Sequence, residues 1–152
     1  MMNLFLLDQN HDRAAQAYYA KHLTKIPLEL SQVLSTAHRL LDGREDVYKA
    51  THNNHPISLF ARESVDNYMF VFNHLQALFQ EFHIRRGKIH GCEKLLPILR
   101  NPPKLLIRGG FSTPPNCTPY SLDVVESYRL YYMNEKRHLA DFEQRTQPEW
   151  WE

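Results

Sequence analysis

The sequence predicts an all-α fold: a compact single-domain helical bundle over residues 1–152, with a long central helix and a proline-rich ordered loop. Apolar residues recur at spacings of three and four through most of the chain, as they do on one face of a helix. No alternating apolar and polar runs predict a strand pair. A chain of 152 residues is also long enough to bury one core without disulfides or metal ions.

The first two predicted helices follow from the residues that begin and end helices. Asp12 can cap a helix that runs to about Thr24. Pro27 suits the first turn of a second helix, which should end before Gly43. The two could also form one kinked helix.

The central helix is expected from about Pro56 to Arg85. Its apolar residues fit one helical face: Phe60, Val65, Tyr68, Met69, Phe72, Leu75, Phe79 and Phe82. A shorter helix is predicted from about Cys92 to Arg100, and Pro97 should disturb it or end it.

The last third of the chain is predicted to be less regular. Residues 101–119 are rich in proline, so no regular element should persist there. We expect an ordered loop, because the segment has apolar side chains to bury: Leu105, Leu106, Ile107 and Phe111. A last helix is predicted from Leu122 to about Gln144, and the tail with Trp150 and Trp151 is either a loose end or a clamp.

Charge is distributed unevenly along a nearly neutral chain. The net charge is +1, which argues against a strongly basic nucleic-acid coat. Residues 81–108 hold seven Lys and Arg against two Glu, a local charge of +5, whereas residues 120–152 hold four cations against seven carboxylates, a local charge of −3. A basic patch is therefore expected, either for phosphate binding or as solvated surface.

Nothing in the sequence predicts an oxidising compartment or a membrane. Cys92 and Cys117 lack the spacing of a metal site and are expected to be reduced thiols. The first eight residues have neither a basic lead nor a cleavage site, so we expect no export signal and no membrane span. The predicted location is the cytoplasm.

One polar stripe is the main candidate for a functional site. His22, Lys25, Glu29, Gln32 and Thr36 recur at spacings of three and four, which places them along one line of a helix. The opposite face is apolar: Ile26, Leu30, Val33, Leu34, Ala37 and Leu41. An imidazole, an ammonium and a carboxylate would thus lie together, although solvated surface is the simpler interpretation of such a stripe.

A second candidate is the basic segment 82–90, which has aromatic and histidine residues around its cations. Arginine binds phosphate and aromatic rings stack on bases, so this composition favours nucleic-acid binding, with solvated surface as the alternative. The predicted nucleic-acid contacts are His55, Arg62, Arg85, Arg86, Lys88 and His90. Glycine-rich phosphate loops are absent, and the histidine spacing favours neither a metal site nor a bound cofactor.

These motifs resemble the small all-helical pyrimidine-dimer DNA glycosylase/AP-lyase family known from phages. The shared pattern is His22-Leu23, five residues, Glu29-Leu30, two residues and Val33, followed by His38-Arg39. A long aromatic helix then opens near Pro56 and closes on Arg85-Arg86-Gly87. Uncharacterised phage proteins look more similar still, through Ala-Lys-His, Thr-Ala-His-Arg, Asn-His-Pro and Arg-x-Gly-Lys-x-His elements. The resemblance covers roughly residues 3–90.

The resemblance implies roles for residues near the start of the chain. The acid/base carboxylate would be Glu29, and His22 would be a supporting imidazole. The nucleophile of the family is the α-amino group of the chain, which attacks the sugar C1′ atom and forms a Schiff base. That role would fall on Met1, or on Met2 after processing.

The leading functional hypothesis is a phage-type DNA-repair enzyme of glycosylase/AP-lyase character that acts on damaged or modified bases. Lys21 and Lys25 are reserve imine-forming amines. The chain differs from the family at Leu28 and Gln32, where the family has basic residues. Two alternatives remain: a non-enzymatic phage accessory protein that binds nucleic acid or a host protein, and a histidine-based nucleotide hydrolase or transferase. The expected partner is nucleic acid, DNA in the leading hypothesis.

Overall fold

A computed structural model describes residues 3–152 and contains α-helices and 3₁₀ turns, with no strand in that part of the chain. The helices are α1 (His11–Gln16), α2 (Ala20–Asp42), α3 (Pro56–Ala61), α4 (Val65–Arg86), α5 (Leu96–Leu99) and α6 (Val124–Asn134). The 3₁₀ turns cover Gly91–Leu95 and Arg137–Leu139. The predicted all-α fold is confirmed.

The two long helices, α2 and α4, pack against each other, α1 packs on α4, and α3 packs on both. The predicted apolar face of α2 is buried, except that Leu41 is only partly covered. The buried apolar side chains form one cluster, which also includes residues 4–7 of the extended N-terminal segment. This segment therefore belongs to the core.

The first predicted helix is interrupted where α1 ends and α2 begins. Asn10, rather than Asp12, caps α1 by accepting a hydrogen bond from the Arg13 backbone. Tyr19 is extended and has no side-chain cap to offer α2, but the backbone carbonyl of Asp141 accepts from the first N–H of α2 at 2.8 Å. A distant part of the chain thus completes this helix end, which local sequence signals do not reveal.

Pro27 lies inside α2, about two turns from its start, rather than in a first turn. A proline within a helix removes one backbone hydrogen bond and costs roughly 3 kcal/mol. The helix continues because Leu23, Ile26 and Leu30 around it are all buried. Tertiary packing thus outweighs the local signal for a helix start.

The predicted central helix is divided into α3 and α4. Ser64 is extended between them, and its hydroxyl caps α4 by accepting from the Asn67 backbone N–H at 3.1 Å. The Val65 N–H donates to the carbonyl of Ile107 in the long loop at 2.9 Å. The apolar periodicity continues across the break, so it gives no sign of the interruption.

The proline-rich segment has no helix or strand, as predicted, but burial is a small part of what orders it. Of its four apolar candidates only Leu106 is buried; Leu105, Ile107 and Phe111 are mostly exposed. The Asn67 side chain holds the loop instead, because its amide donates to Ser112 Oγ at 2.8 Å and its carbonyl accepts from the Ser112 backbone at 3.0 Å.

The last helix is shorter than predicted, since α6 covers only 124–134 and is followed by a 3₁₀ turn. Asp123 caps it by accepting from the Glu126 N–H at 2.8 Å. The tail folds back as a clamp, because Trp151 Nε1 donates to the Tyr19 hydroxyl at 2.8 Å. Cys92 and Cys117 are free thiols, as predicted. No helix within residues 3–152 is long and apolar enough to cross a membrane.

The Arg85 guanidinium joins three parts of the fold. Its side chain is fully buried and it uses all five N–H donors. Nε binds Glu81 at 2.7 Å, Nη1 reaches Glu143 of the tail at 3.4 Å, and Arg145 of the tail binds the same Glu81 carboxylate at 2.7 Å. The remaining donors bind backbone carbonyls at the end of α1 and just beyond it: Ala15, Gln16 and Tyr18.

Arg85→Ala is expected to lower the free energy of unfolding by about 3–5 kcal/mol, the usual cost of breaking a buried ion pair by removing one partner. Urea denaturation measures it. Arg108→Ala is the matched control, because Arg108 is exposed, and its effect should stay within about 0.5 kcal/mol. A loss below about 1 kcal/mol for Arg85→Ala would show that the cluster does not hold the fold together.

Candidate functional site

Glu29 is the centre of the candidate site. Its side chain is half-buried on α2, and Oε2 is buried without a hydrogen-bond partner among the described residues. Burial raises the pKa of this carboxyl, whereas Lys25, His52 and the backbone N–H of Asn3 oppose that rise by favouring the ionised form. A carboxyl in such a balance can both donate and accept protons.

The N-terminal segment lies directly against this carboxyl. Asn3 is fully buried, and neither polar atom of its side chain has a hydrogen-bond partner among the described residues. Two residues on, Phe5 stacks on the imidazole of His22 with ring centroids 4.5 Å apart. Since Asn3 faces Glu29 and Phe5 faces His22, the segment runs along α2 and contacts both predicted residues.

Phe5 has a backbone φ of +45°, which is unusual for a residue with a side chain. Conformations of this kind cost of the order of 1–3 kcal/mol and persist where the surroundings fix them. Besides His22, the Phe5 ring contacts Tyr18, Tyr128, Tyr131 and Tyr132. The aromatic packing therefore holds the segment in its position beside Glu29.

His22 is a buried, neutral residue. Its Nδ1 shares a hydrogen bond with the Tyr132 hydroxyl at 2.8 Å. Burial, together with Lys136 and the lysines near it on α2, lowers the pKa of His22 to about 4. His22 and Glu29 are two helical turns apart, roughly 10 Å along the axis, so they do not form a direct acid/base pair.

The lysine amines predicted as nucleophiles are exposed, unlike His22. Lys21 and Lys25 are both exposed on α2, and Lys25 is one turn before Glu29, where side chains four residues apart are neighbours. Met1 and Met2 lie outside the described residues. The predicted polar stripe is thus uneven, because His22 and Thr36 are buried while Lys25 is exposed.

The loop before α3 contributes a histidine that sequence reasoning did not select. His52 is exposed, has a φ of +49°, and is one of the charges that act on Glu29. The Thr36 hydroxyl fixes the loop by accepting from the Thr51 N–H at 3.1 Å. Arg62 fixes it by donating to the Asn53 carbonyl at 2.8 Å. The asparagine-rich turn around His52 signals its backbone conformation, because asparagine and histidine in turns tolerate a positive φ. It does not signal the position of His52 near Glu29.

Asn3 was also missed, although it is a polar residue beside the apolar run Leu4–Leu7. No feature of the sequence predicts that Asn3 is buried. His55, which was predicted to contact nucleic acid, caps α3 with its Nδ1, which accepts from the Ile57 N–H at 3.1 Å. One nitrogen of Arg62, Nη1, is buried without a hydrogen-bond partner among the described residues.

The predicted nucleic-acid contacts of the basic segment 82–90 are largely bound within the fold. Arg85 is buried and has no donor left for a phosphate. Arg86 is half-buried and binds Glu143, Thr24 and the carbonyl of Ala20. His90 accepts from the Cys92 N–H and also bonds the Thr24 carbonyl. Of the predicted residues in this segment, Lys88 alone is exposed. The other cations of residues 81–108 are exposed: Lys94, Arg100, Lys104 and Arg108.

Within residues 3–152 no three His, Cys, Asp or Glu side chains form a group that could hold a metal ion. Comparison with protein-family models, with curated proteins and with solved structures finds no match for this chain. The candidate function therefore depends on the site itself.

Glu29→Gln is expected to leave the thermal midpoint at pH 7 unchanged or to raise it. A carboxyl whose pKa is raised by folding destabilises the fold as pH rises through that pKa, and glutamine does not carry this cost. The difference between variant and wild type should shrink below pH ~4, where the carboxyl is protonated in both folded and unfolded chains. Calorimetry across this pH range measures it.

Glu45→Gln is the control, because Glu45 is exposed, and its thermal midpoint should follow the wild type at every pH. A Glu29→Gln protein that is less stable than the wild type at pH 7 would mean that the carboxylate serves the fold rather than a reaction.

Proposed function

We propose that this chain is a DNA-processing enzyme of the glycosylase/AP-lyase type that acts on damaged or modified bases. The observation that carries the proposal is the Glu29 carboxyl, which is half-buried against the backbone of Asn3 with one oxygen free of protein partners among the described residues. An exposed amine, Lys25, lies one turn away. A proton-transferring carboxyl beside an available amine is the minimum that imine chemistry at a sugar requires.

The proposed reaction uses these groups. The amine lone pair attacks C1′ of the deoxyribose, the bond from C1′ to the base breaks, and the base leaves with a proton. The sugar ring then opens: the C1′–O4′ bond breaks, O4′ takes a proton, and the nitrogen lone pair forms the C=N bond of the protonated Schiff base. Removal of a C2′ proton then expels the 3′ phosphate as its bond to C3′ breaks, and water releases the amine. Glu29 is the group that carries protons to and from the sugar in these steps.

Two sources of the amine fit the proposal. The family resemblance favours the α-amino group. The first described residue, Asn3, lies against Glu29, which is consistent with that source. The helix geometry favours Lys25, and Lys21 is one further turn from Glu29. The product after reduction identifies the amine directly, because each source lies in a different peptide.

The proposed DNA contacts change with the structure. Lys88 is exposed and remains in the proposed interface, whereas Arg85 is removed from it. Lys21 and Lys25, which were predicted as imine-forming amines, are also exposed and join the interface. Such an enzyme, encoded by a phage, would act in the cytoplasm of its host.

The second candidate is a non-enzymatic accessory protein that binds nucleic acid or a host protein. It is favoured by two large apolar side chains near Lys88: Ile84 is 58% exposed and Ile89 is 69% exposed. Exposed apolar surface beside a cation is typical of a contact surface. This candidate requires no reaction at Glu29, which separates it from the first.

Incubation of the protein with abasic-site DNA and borohydride is expected to leave a covalent adduct, because borohydride reduces the imine to a stable secondary amine. Peptide mapping should place the adduct on the α-amino group, Lys21 or Lys25. Glu29→Gln should slow strand cleavage by about 10²–10⁴, the range for general acid/base catalysis, without weakening DNA binding.

Two variants sharpen this test. Lys25→Arg keeps the charge but cannot form the imine, so loss of the adduct would identify Lys25 as the nucleophile. Glu45→Gln should cleave as the wild type does. Folded wild-type protein that forms no adduct on damaged or intact DNA would refute the enzyme proposal and favour the accessory protein.

Lys88→Ala and Arg86→Ala should separate binding from stability. Lys88 is exposed, so its loss should weaken DNA binding and lower the salt slope by about one, without a change in thermal midpoint. Arg86 bonds the tail and α2, so its loss should lower the thermal midpoint. Fluorescence anisotropy at several salt concentrations and calorimetry measure the two effects. If Arg86→Ala weakens DNA binding and Lys88→Ala does not, the interface lies at the Arg86 side chain.

A further inference from the structure

A chain of hydrogen bonds crosses the core from α1 to the N-terminal segment. His11 Nδ1 is 3.1 Å from His74 Nδ1. His74 Nε2 is 2.9 Å from the Tyr18 hydroxyl, which donates to the backbone carbonyl of Leu4. His74 and Tyr18 are fully buried, whereas His11 is half-buried at the outer end. Tyr18 and Leu4 also help to hold the N-terminal segment beside Glu29, but none of the four groups hydrogen-bonds the Glu29 carboxyl.

The donors and acceptors of the four groups allow only one direction of proton donation along these hydrogen bonds. The Leu4 carbonyl only accepts, so Tyr18 spends its one proton there and must accept from His74 Nε2–H. A neutral His74 then has its lone pair on Nδ1, and His11 must donate Nδ1–H to it. Burial lowers the pKa of His74 to about 3 and also lowers that of His11, which keeps both rings neutral at pH 7. The lone pair of His11 is thereby fixed on Nε2.

His11 lines a polar cleft of about 350 Å³ between the start of α1 and one face of α4. The polar residues of the cleft are Asn10, His11, Asp12, Asn73, Gln76 and Gln80. The three from α4 lie at spacings of three and four, so their carboxamides share a face of the helix. The edge of the Phe70 ring holds the imidazole from the side, with centroids 4.6 Å apart. Among the described residues His11 Nε2 has no hydrogen-bond partner.

The lining selects among ligand classes. It contains no lysine or arginine, and Asp12 is acidic, so a phosphate has no cationic partner there. The three carboxamides of α4 offer paired donors and acceptors, which match the edges of nucleobases, whereas the Asn10 oxygen already caps α1. The Asp12 carboxylate accepts from base N–H groups. The fixed lone pair on His11 requires a donor from the ligand. The volume of the cleft accommodates a single planar ring system. On its open side, the rest of a larger ligand can extend into solvent.

We propose that this cleft binds a nucleobase, which donates an N–H to His11 Nε2 and pairs its edge with the carboxamides of α4. His74 and Tyr18 are positioning residues, because they fix the tautomer of His11 without touching the ligand. The proposal does not depend on the reaction at Glu29. The base can come from a free nucleoside or from a single strand, and the recognition chemistry is the same.

The test is a titration of ¹⁵N-labelled protein, followed by NMR at the His11 ring. Adenosine, cytidine, guanosine and thymidine are added one at a time, with ribose as the control, and a short single-stranded DNA tests the second source. At least one base should give a saturable shift at His11 Nε2 that does not change with salt, since no phosphate contact is involved. Ribose should give none.

Three variants define the site. His11→Phe keeps a ring beside Phe70 and removes the acceptor, so binding should weaken about tenfold. Asn134→Ala is the control, because Asn134 is exposed outside the cleft, and it should bind as the wild type does. Tyr18→Phe removes the hydroxyl that accepts from His74, and the His11 ¹⁵N shifts should then report a mixture of tautomers.

The outcomes are distinguishable from those at Glu29. A shift with the oligonucleotide but not with nucleosides would support the site and identify nucleic acid as its source. No shift with any base, or equal binding by His11→Phe, would overturn the proposal even if borohydride trapping succeeds. If His11 keeps its wild-type tautomer in Tyr18→Phe, Tyr18 and His74 are not positioning residues.

Discussion

The buried Arg85 guanidinium is the interaction on which the arrangement of helices and tail depends. It closes the carbonyl end of α1, pairs with Glu81 on its own helix and reaches Glu143 of the tail. Five hydrogen bonds from one planar group fix distance and angle together, which a lysine in that position could not do. The tail in turn supplies the carbonyl of Asp141 that completes α2. The helix that carries Glu29 is therefore positioned in part by residues more than a hundred positions away.

The candidate site follows from where the N-terminal segment lies. The segment is buried beside α2, with Asn3 at Glu29 and a strained Phe5 at His22. A half-buried carboxyl and an amide that has no hydrogen-bond partner within residues 3–152 are costly to the fold, and such costs concentrate where groups are kept for binding or reaction. The same physics separates His22 from the site, because the aromatic ring stack that buries it also removes its charge.

The histidines show how burial divides one residue type into different roles. His55 and His90 use Nδ1 to cap short helices, and His74 is a neutral link within the core. His52 and His11 keep an exposed edge. Each ring is committed by the one or two hydrogen bonds that its position allows.

Local periodicity determined part of this protein: the all-α class and the buried face of α2. These depend on neighbours three or four residues apart, which a sequence displays directly. The sequence could not indicate the break before α2, the short last helix, the burial of Arg85 or the parts played by His52 and Asn3. Each of these depends on a contact between segments distant in the chain, and the tertiary structure decides which donors, acceptors and charges are spent on folding and which remain for a ligand.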